Sequence, residues 1–172
     1  MKRSESEVLT RKEIAALLEA AVAVQKAART PMSVKRARRD RLMIEVGLYC
    51  GASVSETCKL RREDIGNGTI AFKSLGGRRN RKVELRPSLA AELKEWRQEP
   101  GYLFRVTERT FQRRLVALAR MAGIEKPVYP HLLRHTFAEL FLAPSLTTSM
   151  RAQQLGIRNL DRVYAHAAKN QE

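Results

Sequence analysis

Three nitrogen-bearing side chains recur at helical spacing in the C-terminal part of the chain. Arg134 and His135 follow His131 by three and four residues, which places all three on one face of a helix. The large apolar residues of the same segment fall on the opposite face. Such a face is either a solvated polar surface or a group of donors for an anion. A zinc site is disfavoured, because no glutamate lies between the histidines and Arg134 adds a permanent cation.

The charge balance indicates a polyanionic partner. Lys and Arg total 33 against 18 Asp and Glu, which gives a formal net charge of +15. This excess costs self-repulsion unless an anion offsets it, and double-stranded DNA is the first candidate. A membrane surface competes, but no predicted helix separates lysines from large apolar residues. An RNA-binding protein is a third class, disfavoured because aromatic residues make up only 6% of the chain.

The termini and cysteines indicate a cytoplasmic protein associated with DNA. No run of about 18 apolar residues occurs, and the first residues are polar, so we expect neither a membrane span nor a secretory signal. Cys50 and Cys58 are too few for a disulfide framework and lack the spacing of a zinc site. We expect both cysteines to be buried and the protein to need no metal or cofactor.

The elements that must position these residues are mostly helices. Thr10–Glu13 and Ser53–Glu56 match capping boxes, which begin helices. Between them, Pro31 is expected to end the first helix, and the basic run Lys35–Arg41 to open a second that becomes apolar towards Cys50. Five further helices are expected. They lie after Pro87, over Thr107 to Gly123, over His131 to about Leu142, over Thr148 to Leu155, and from near Asn159 through Tyr164.

One pair of strands interrupts the helices. Thr69–Lys73 and Lys82–Leu85 read as an antiparallel hairpin, joined by a basic segment that contains glycine. The predicted fold is therefore mainly α with a small β hairpin, an α+β protein. We expect a polar tail over residues 1–8 and one domain over residues 9–172, with no separate DNA-binding domain before it.

Several motifs, in order along the chain, resemble the catalytic domain of tyrosine recombinases, the phage-integrase family. His131–Ala138 is similar to the family box His-x-x-Arg-His-Thr/Ser-Phe-Ala, and Tyr49–Glu56 to its Tyr-Thr-Gly-Leu-Arg-Val-Ser-Glu box. Leu9–Ile14 resembles the start of that domain, and Gln154–Gly156 with Tyr164–His166 its end. The resemblance implies a protein that cleaves and rejoins DNA through a 3′-phosphotyrosine, without metal or nucleotide.

The resemblance also implies a role for each matching position. Tyr164 would be the nucleophile, Arg134 a phosphate clamp, and His131 a second phosphate donor or acid/base. Lys73 would be the general acid on the leaving 5′-oxygen. The alternatives for the hairpin group that enters the groove are Lys82 and the arginines Arg78, Arg79 and Arg81. The basic residues expected to contact DNA are Arg36, Arg38, Arg39, Arg41, Arg78, Arg79, Arg81, Lys82, His135 and Arg158.

Two positions depart from the family pattern. Ser53 stands where the family has its first catalytic arginine, and Ile157 where it has a histidine or tryptophan. Loss of one preorganised donor costs about 10²- to 10³-fold in rate, and loss of a transition-state arginine about 10³- to 10⁵-fold. Arg158, Arg61 and Arg62 are the candidates to replace the missing charge.

Two functions follow from these departures. The first is an impaired recombinase that acts at a site of a mobile element or chromosome. The second is a DNA-binding regulator or accessory protein in which Tyr164 packs its ring into the domain instead of reacting. Only eight residues follow Tyr164, which favours a monomer in solution and leaves an oligomer on DNA open.

Overall fold

A computed structural model describes residues 8–73, 80–96, 100–142 and 154–155 of this chain. Within these ranges the chain is mainly helical with a small antiparallel sheet, which confirms the predicted fold class. The elements are α1 Arg11–Ala27, α2 Pro31–Cys50, α3 Val54–Lys59, a 3-10 turn Arg62–Asp64, β1 Thr69–Phe72, β2 Arg81–Glu84, α4 Pro87–Trp96, α5 Glu108–Met121 and α6 Pro130–Leu140.

Side-chain caps decide where most of the helices begin. The predicted boxes at Thr10 and Ser53 are both present, and each is reciprocal with the glutamate three residues on. The predicted start of the second helix is wrong, because α2 begins at Pro31 and not at Lys35. Proline suits the first helical position, where no N–H is needed, and Thr30 supplies the cap.

Helix α2 is the centre of the fold and packs against α1, α3, α4, α5 and α6. As the sequence predicts, its apolar half lies in the core, where Tyr49 is half-buried and the other apolar residues are buried. It ends at Gly51, whose φ of +62° favours glycine. A Cβ at Gly51 would lie 2.4 Å from Cδ1 of Phe137 on α6. The turn that follows α2 therefore packs directly against α6, and this contact positions the turn relative to the residues of α6.

The hairpin is short, and its side chains alternate between the core and the solvent along each strand. Thr69 pairs with Glu84 and Phe72 with Arg81. Ile70 and Phe72 point into the core, and Lys82 is exposed. Strand β2 begins at Arg81, one residue before the predicted start. The segment that joins the strands, residues 74–79, lies outside the described residues.

The described parts of the chain contain no helix long and apolar enough to cross a membrane. They also contain no cluster of three or more His, Cys, Asp or Glu residues that could hold a metal ion. Cys50 and Cys58 are buried, as predicted. Burial raises the pKa of Cys50 to about 12 and that of Cys58 to about 11, so both thiols stay protonated and unreactive.

Candidate functional site

Arg134 lies at the centre of a buried polar cluster beneath the turn that joins α2 to α3. The residue is 3% exposed. Its Nη1 donates to the carbonyl oxygen of Gly51 at 2.7 Å and to Oε2 of Glu56 at 3.1 Å. Its Nη2 donates to the carbonyl oxygen of Leu155. One guanidinium group thus joins three segments that are far apart in the sequence.

Arg81 enters the same cluster from strand β2. Its Nη1 lies 3.1 Å from Oε1 of Glu56, and its Nη2 lies 3.1 Å from Oε2 of Glu56 and 3.0 Å from the carbonyl oxygen of Gly51. The guanidinium also covers the ring of Phe72 at 4.1 Å. A single carboxylate therefore faces two guanidinium groups, so these three side chains keep a net positive charge that suits an anion.

The sequence predicts Arg81 among the DNA contacts, and the structure buries it. Its side chain is only 4% exposed and contacts Glu56 and the carbonyl oxygen of Gly51. The alternation of side chains along β2 indicates that Arg81 is buried, since Arg81 shares a strand face with Val83 and the core residue Leu85. The sequence also gave Glu56 a capping role alone and missed its contact with both arginines.

Ser53 occupies the position of the missing family arginine as a helix cap. Its Oγ accepts a hydrogen bond from the N–H of Glu56 at 3.2 Å, and its own N–H donates to Oε2 of Glu56 at 2.8 Å. The residue is 5% exposed. Of the proposed replacements, Arg61 lies over the ring of Tyr102 at 4.9 Å and lines a cavity that Glu56 also lines. Arg62 lines a different cavity.

The two histidines remain on the outside of α6 next to this cluster. His131 is exposed, His135 is half-buried, and their ring centroids are 4.4 Å apart in an edge-to-face arrangement. His131, Arg134 and His135 therefore do not share one environment, because the side chain of Arg134 is directed inward to Glu56. His131 lies one helical turn before Arg134, at the start of α6, which begins at Pro130.

Two exposed lysines lie on the hairpin, one just after β1 and one on β2. The Nζ of Lys73, just after β1, is 2.9 Å from Oδ1 of Asp64, and the Lys73 side chain is 64% exposed. Lys73 and Glu56 line the same cavity, of about 160 Å³. Lys82 is exposed on β2 opposite Ala71. Both lysines therefore reach solvent on the hairpin that supplies Arg81.

Most of the basic run on α2 already has intramolecular partners. Arg38 pairs with Glu92 and Glu95, and Arg41 pairs with Glu92 and Glu45. Burial opposes ionisation of Glu92, but the hydrogen bonds and charges of Arg41 and Arg38 outweigh it and lower the pKa of Glu92. The Nη2 of Arg39 lies 2.7 Å from Oδ1 of Asp40. Arg36 is exposed and forms no ion pair with any described residue.

The remaining predicted site residues lie outside the described residues. They are Tyr164, Arg158, Ile157, Arg78 and Arg79.

The family model described as "Phage integrase family" matches residues 7–171. This chain belongs to the phage integrase family, the tyrosine recombinases. It is 33% identical over 148 residues to a tyrosine recombinase of Pseudothermotoga lettingae, an alignment that covers 78% of this chain and 52% of that protein. The chain thus spans about half the length of this curated relative.

Two solved structures share the fold of the chain. The XerA recombinase aligns with a TM-score of 0.75 and 26% identity, over 95% of this chain and 61% of that one. The catalytic domain of the bacteriophage HP1 integrase aligns with a TM-score of 0.67 and 23% identity, over 94% of this chain and 86% of that one. The resemblance to a tyrosine recombinase catalytic domain is confirmed.

Proposed function

We propose that this chain binds double-stranded DNA and cleaves and rejoins it at a specific site through a 3′-phosphotyrosine at Tyr164, at a reduced rate. The observation that carries the proposal is the position of Arg134, fixed by Gly51 and Glu56 beneath the α2–α3 turn with His131 exposed one turn earlier. A guanidinium fixed in this way near a surface imidazole is suited to the negative charge that develops on a five-coordinate phosphate.

The proposed reaction conserves the energy of the phosphodiester bond. The Tyr164 hydroxyl gives up its proton to His131 or to a water molecule, and its oxygen bonds to phosphorus while the bond from phosphorus to the 5′-oxygen breaks. The leaving 5′-oxygen takes a proton from Lys73, or from Lys82 as the alternative. Attack by a free 5′-hydroxyl reverses these steps and rejoins the strand. The chain's charge of +15 supports DNA as the substrate.

Ser53 supports the reduced rate. The family arginine at this position would add a cationic fork, whereas Ser53 is a buried cap whose oxygen is bonded to the N–H of Glu56. Loss of a transition-state arginine costs about 10³- to 10⁵-fold in rate. Ile157 removes a second expected donor. We propose that the target lies in a mobile element or chromosome in the cytoplasm, and that the protein is a monomer until it binds DNA.

The same observation about Ser53 favours a second candidate function. With no cation at this position, the chain would bind DNA as a regulator or accessory protein without cleavage. Both candidates share the DNA-binding surface, to which we assign the exposed basic residues of the hairpin and α6. They differ only in whether Tyr164 reacts.

A covalent capture assay separates the two candidates. The full chain is incubated with a pool of nicked duplexes of randomised sequence, in which cleavage releases a short fragment and prevents rejoining. Covalent complexes are recovered after denaturation and sequenced. The proposal predicts a protease-sensitive adduct that Tyr164→Phe abolishes while DNA binding is retained. An adduct that survives in Tyr164→Phe contradicts it.

Substitutions at position 53 test whether the absence of an arginine there causes the low rate. Ser53→Arg is expected to raise the adduct yield about tenfold or more, even though it removes a cap. Ser53→Ala is the matched control, since it loses the same cap at a cost of about 1 kcal/mol in the free energy of unfolding but gains no cation. An adduct seen with Ser53→Arg and not with the unaltered chain supports the second candidate. Equal yields from the two variants show that Ser53 does not limit the reaction.

A further inference from the structure

A cavity of about 230 Å³ lies beside the N-terminal half of α2, away from the Arg134 cluster. Its apolar wall is formed by Trp96, Leu103 and Phe104, and Tyr102 at its edge is 47% exposed. Arg36 lines it and precedes Gly51 by 15 residues on the same helix, a distance of about 22 Å at 1.5 Å per residue. The cavity is therefore separate from the site around Arg134.

The charge of this cavity is of one sign. None of the described residues that line it is acidic, and five of them are basic: Lys35, Arg36, Arg39, Arg62 and Arg105. These five come from α2, from the 3-10 turn and from the segment before α5. Lys35, Arg36 and Arg62 form no ion pair with any residue in the described ranges. Cations held this close repel one another, so an anion at their centre would be favoured.

On the opposite face of α2, the arginines are neutralised by ion pairs. Arg38 and Arg41 are spaced one turn apart, and each contacts Glu92. No acidic residue of the described chain performs this role for Arg36, although Arg36 belongs to the same basic run. Among the described residues, Arg36 thus lacks the acidic partner that Arg38 and Arg41 have on the same helix.

The aromatic rings supply flat surfaces next to these cations. Trp96 is held in place by a hydrogen bond from its Nε1 to the carbonyl oxygen of Leu103 at 2.9 Å. The Nζ of Lys35 lies 5.9 Å from the centre of the Trp96 ring. Arg61 covers the ring of Tyr102 and lines the neighbouring cavity but not this one, whereas Tyr102 lines both cavities.

We propose that this cavity binds a phosphorylated nucleoside, either as a free nucleotide or as the terminal nucleotide of a single strand. The phosphate accepts hydrogen bonds from Arg36 and Arg62, and the base packs against Tyr102 and Trp96. Guanidinium groups bind phosphate through two parallel hydrogen bonds, and aromatic rings bind planar bases, so this ligand uses both features of the cavity. The proposal does not depend on cleavage at Tyr164.

Trp96 makes the binding directly measurable. It is the single tryptophan of the chain, so the intrinsic fluorescence of the full protein reports on this cavity. Titration with adenosine 5′-monophosphate is expected to give a saturable change, and adenosine and inorganic phosphate to bind at least about tenfold more weakly, because each has only half of the recognised chemistry. A 5′-phosphorylated single-stranded trinucleotide that binds more tightly than the free nucleotide identifies the strand end as the source of the ligand.

Two arginines of the same helix provide the matched variants. Arg36→Gln is expected to weaken nucleotide binding about tenfold, whereas Arg38→Gln, which removes the same charge from the neutralised face, leaves it within about twofold. Both residues lie on the helix surface, and unfolding curves check that the variants are folded. Absence of saturable nucleotide binding, equal losses in the two variants, or tighter binding of an acidic peptide that contains phenylalanine would each overturn the proposal.

Discussion

The two ends of α2 use arginine in opposite ways. Beyond its C-terminal end, Arg134 and Arg81 are buried and share one carboxylate, Glu56. Along its N-terminal half, Arg36 is exposed and forms no ion pair with a described residue, and Arg62 lines the same cavity. A buried guanidinium requires partners that hold it in one position, whereas an exposed one is hydrated. The number of arginines in a sequence therefore does not tell which of them the fold holds in place.

The largest effect on the buried arginines is expected from removal of the carboxylate that they share, that of Glu56. Glu56→Ala leaves two buried guanidinium groups without their partner, and breaking a buried ion pair costs about 3–5 kcal/mol in the free energy of unfolding. Chemical denaturation of the variant and the unaltered chain measures this loss. Glu95→Ala is the control, because its pair with Arg38 is at the surface and contributes about 1 kcal/mol or less. A loss below about 1 kcal/mol in Glu56→Ala would show that the cluster does not hold the two arginines in place.

The turn above the cluster gives a second, smaller test. Gly51→Ala forces a left-handed backbone and a contact 2.4 Å from Phe137, so we expect a loss of about 2–4 kcal/mol. Gly68→Ala is matched to it, because Gly68 also has a positive φ, of +72°, but has nothing within 4 Å of an added Cβ. We expect about 1–2 kcal/mol for that variant. Equal losses in denaturant unfolding would show that the contact with α6 adds nothing to the turn.

The neutralised face of α2 is tested by pH. Because Arg41 and Arg38 lower the pKa of Glu92 below the ordinary 4.5, the ionised form is favoured in the folded chain. The stability that this pair contributes is thus fully present above pH 4.5 and is lost as the pH falls through the lowered pKa. In denaturant unfolding, the Glu92→Gln variant should lose less stability than the unaltered chain between about pH 5.5 and about pH 3.5, one unit either side of the ordinary 4.5. Identical pH profiles for the two proteins would rule out this contribution.

The features that the sequence predicts correctly are local ones. The capping boxes at Thr10 and Ser53 depend on residues three apart, and the apolar run of α2 depends on helical period. The error at Pro31 arises because proline both ends and begins helices, and the cap at Thr30 decides between the two.

The features that the sequence does not predict depend on contacts between distant segments. Glu56 meets Arg81 and Arg134, which are 25 and 78 residues away, and no short motif encodes that meeting. The cavity on α2 has a similar origin, since aromatic residues are only 6% of the chain and yet three of them gather there. Local patterns specify elements, and packing decides which side chains face one another.

A covalent bond between Tyr164 and DNA separates the proposed recombinase from a protein that only binds DNA. Digestion of the captured protein–DNA complex with protease and nuclease, followed by mass spectrometry of the modified peptide, tests for this bond. We expect a nucleotide attached through a 3′-phosphate to the tyrosine of the peptide that contains Tyr164. A nucleotide attached to any other residue, or complexes with Ser53→Arg that carry none, would contradict this expectation.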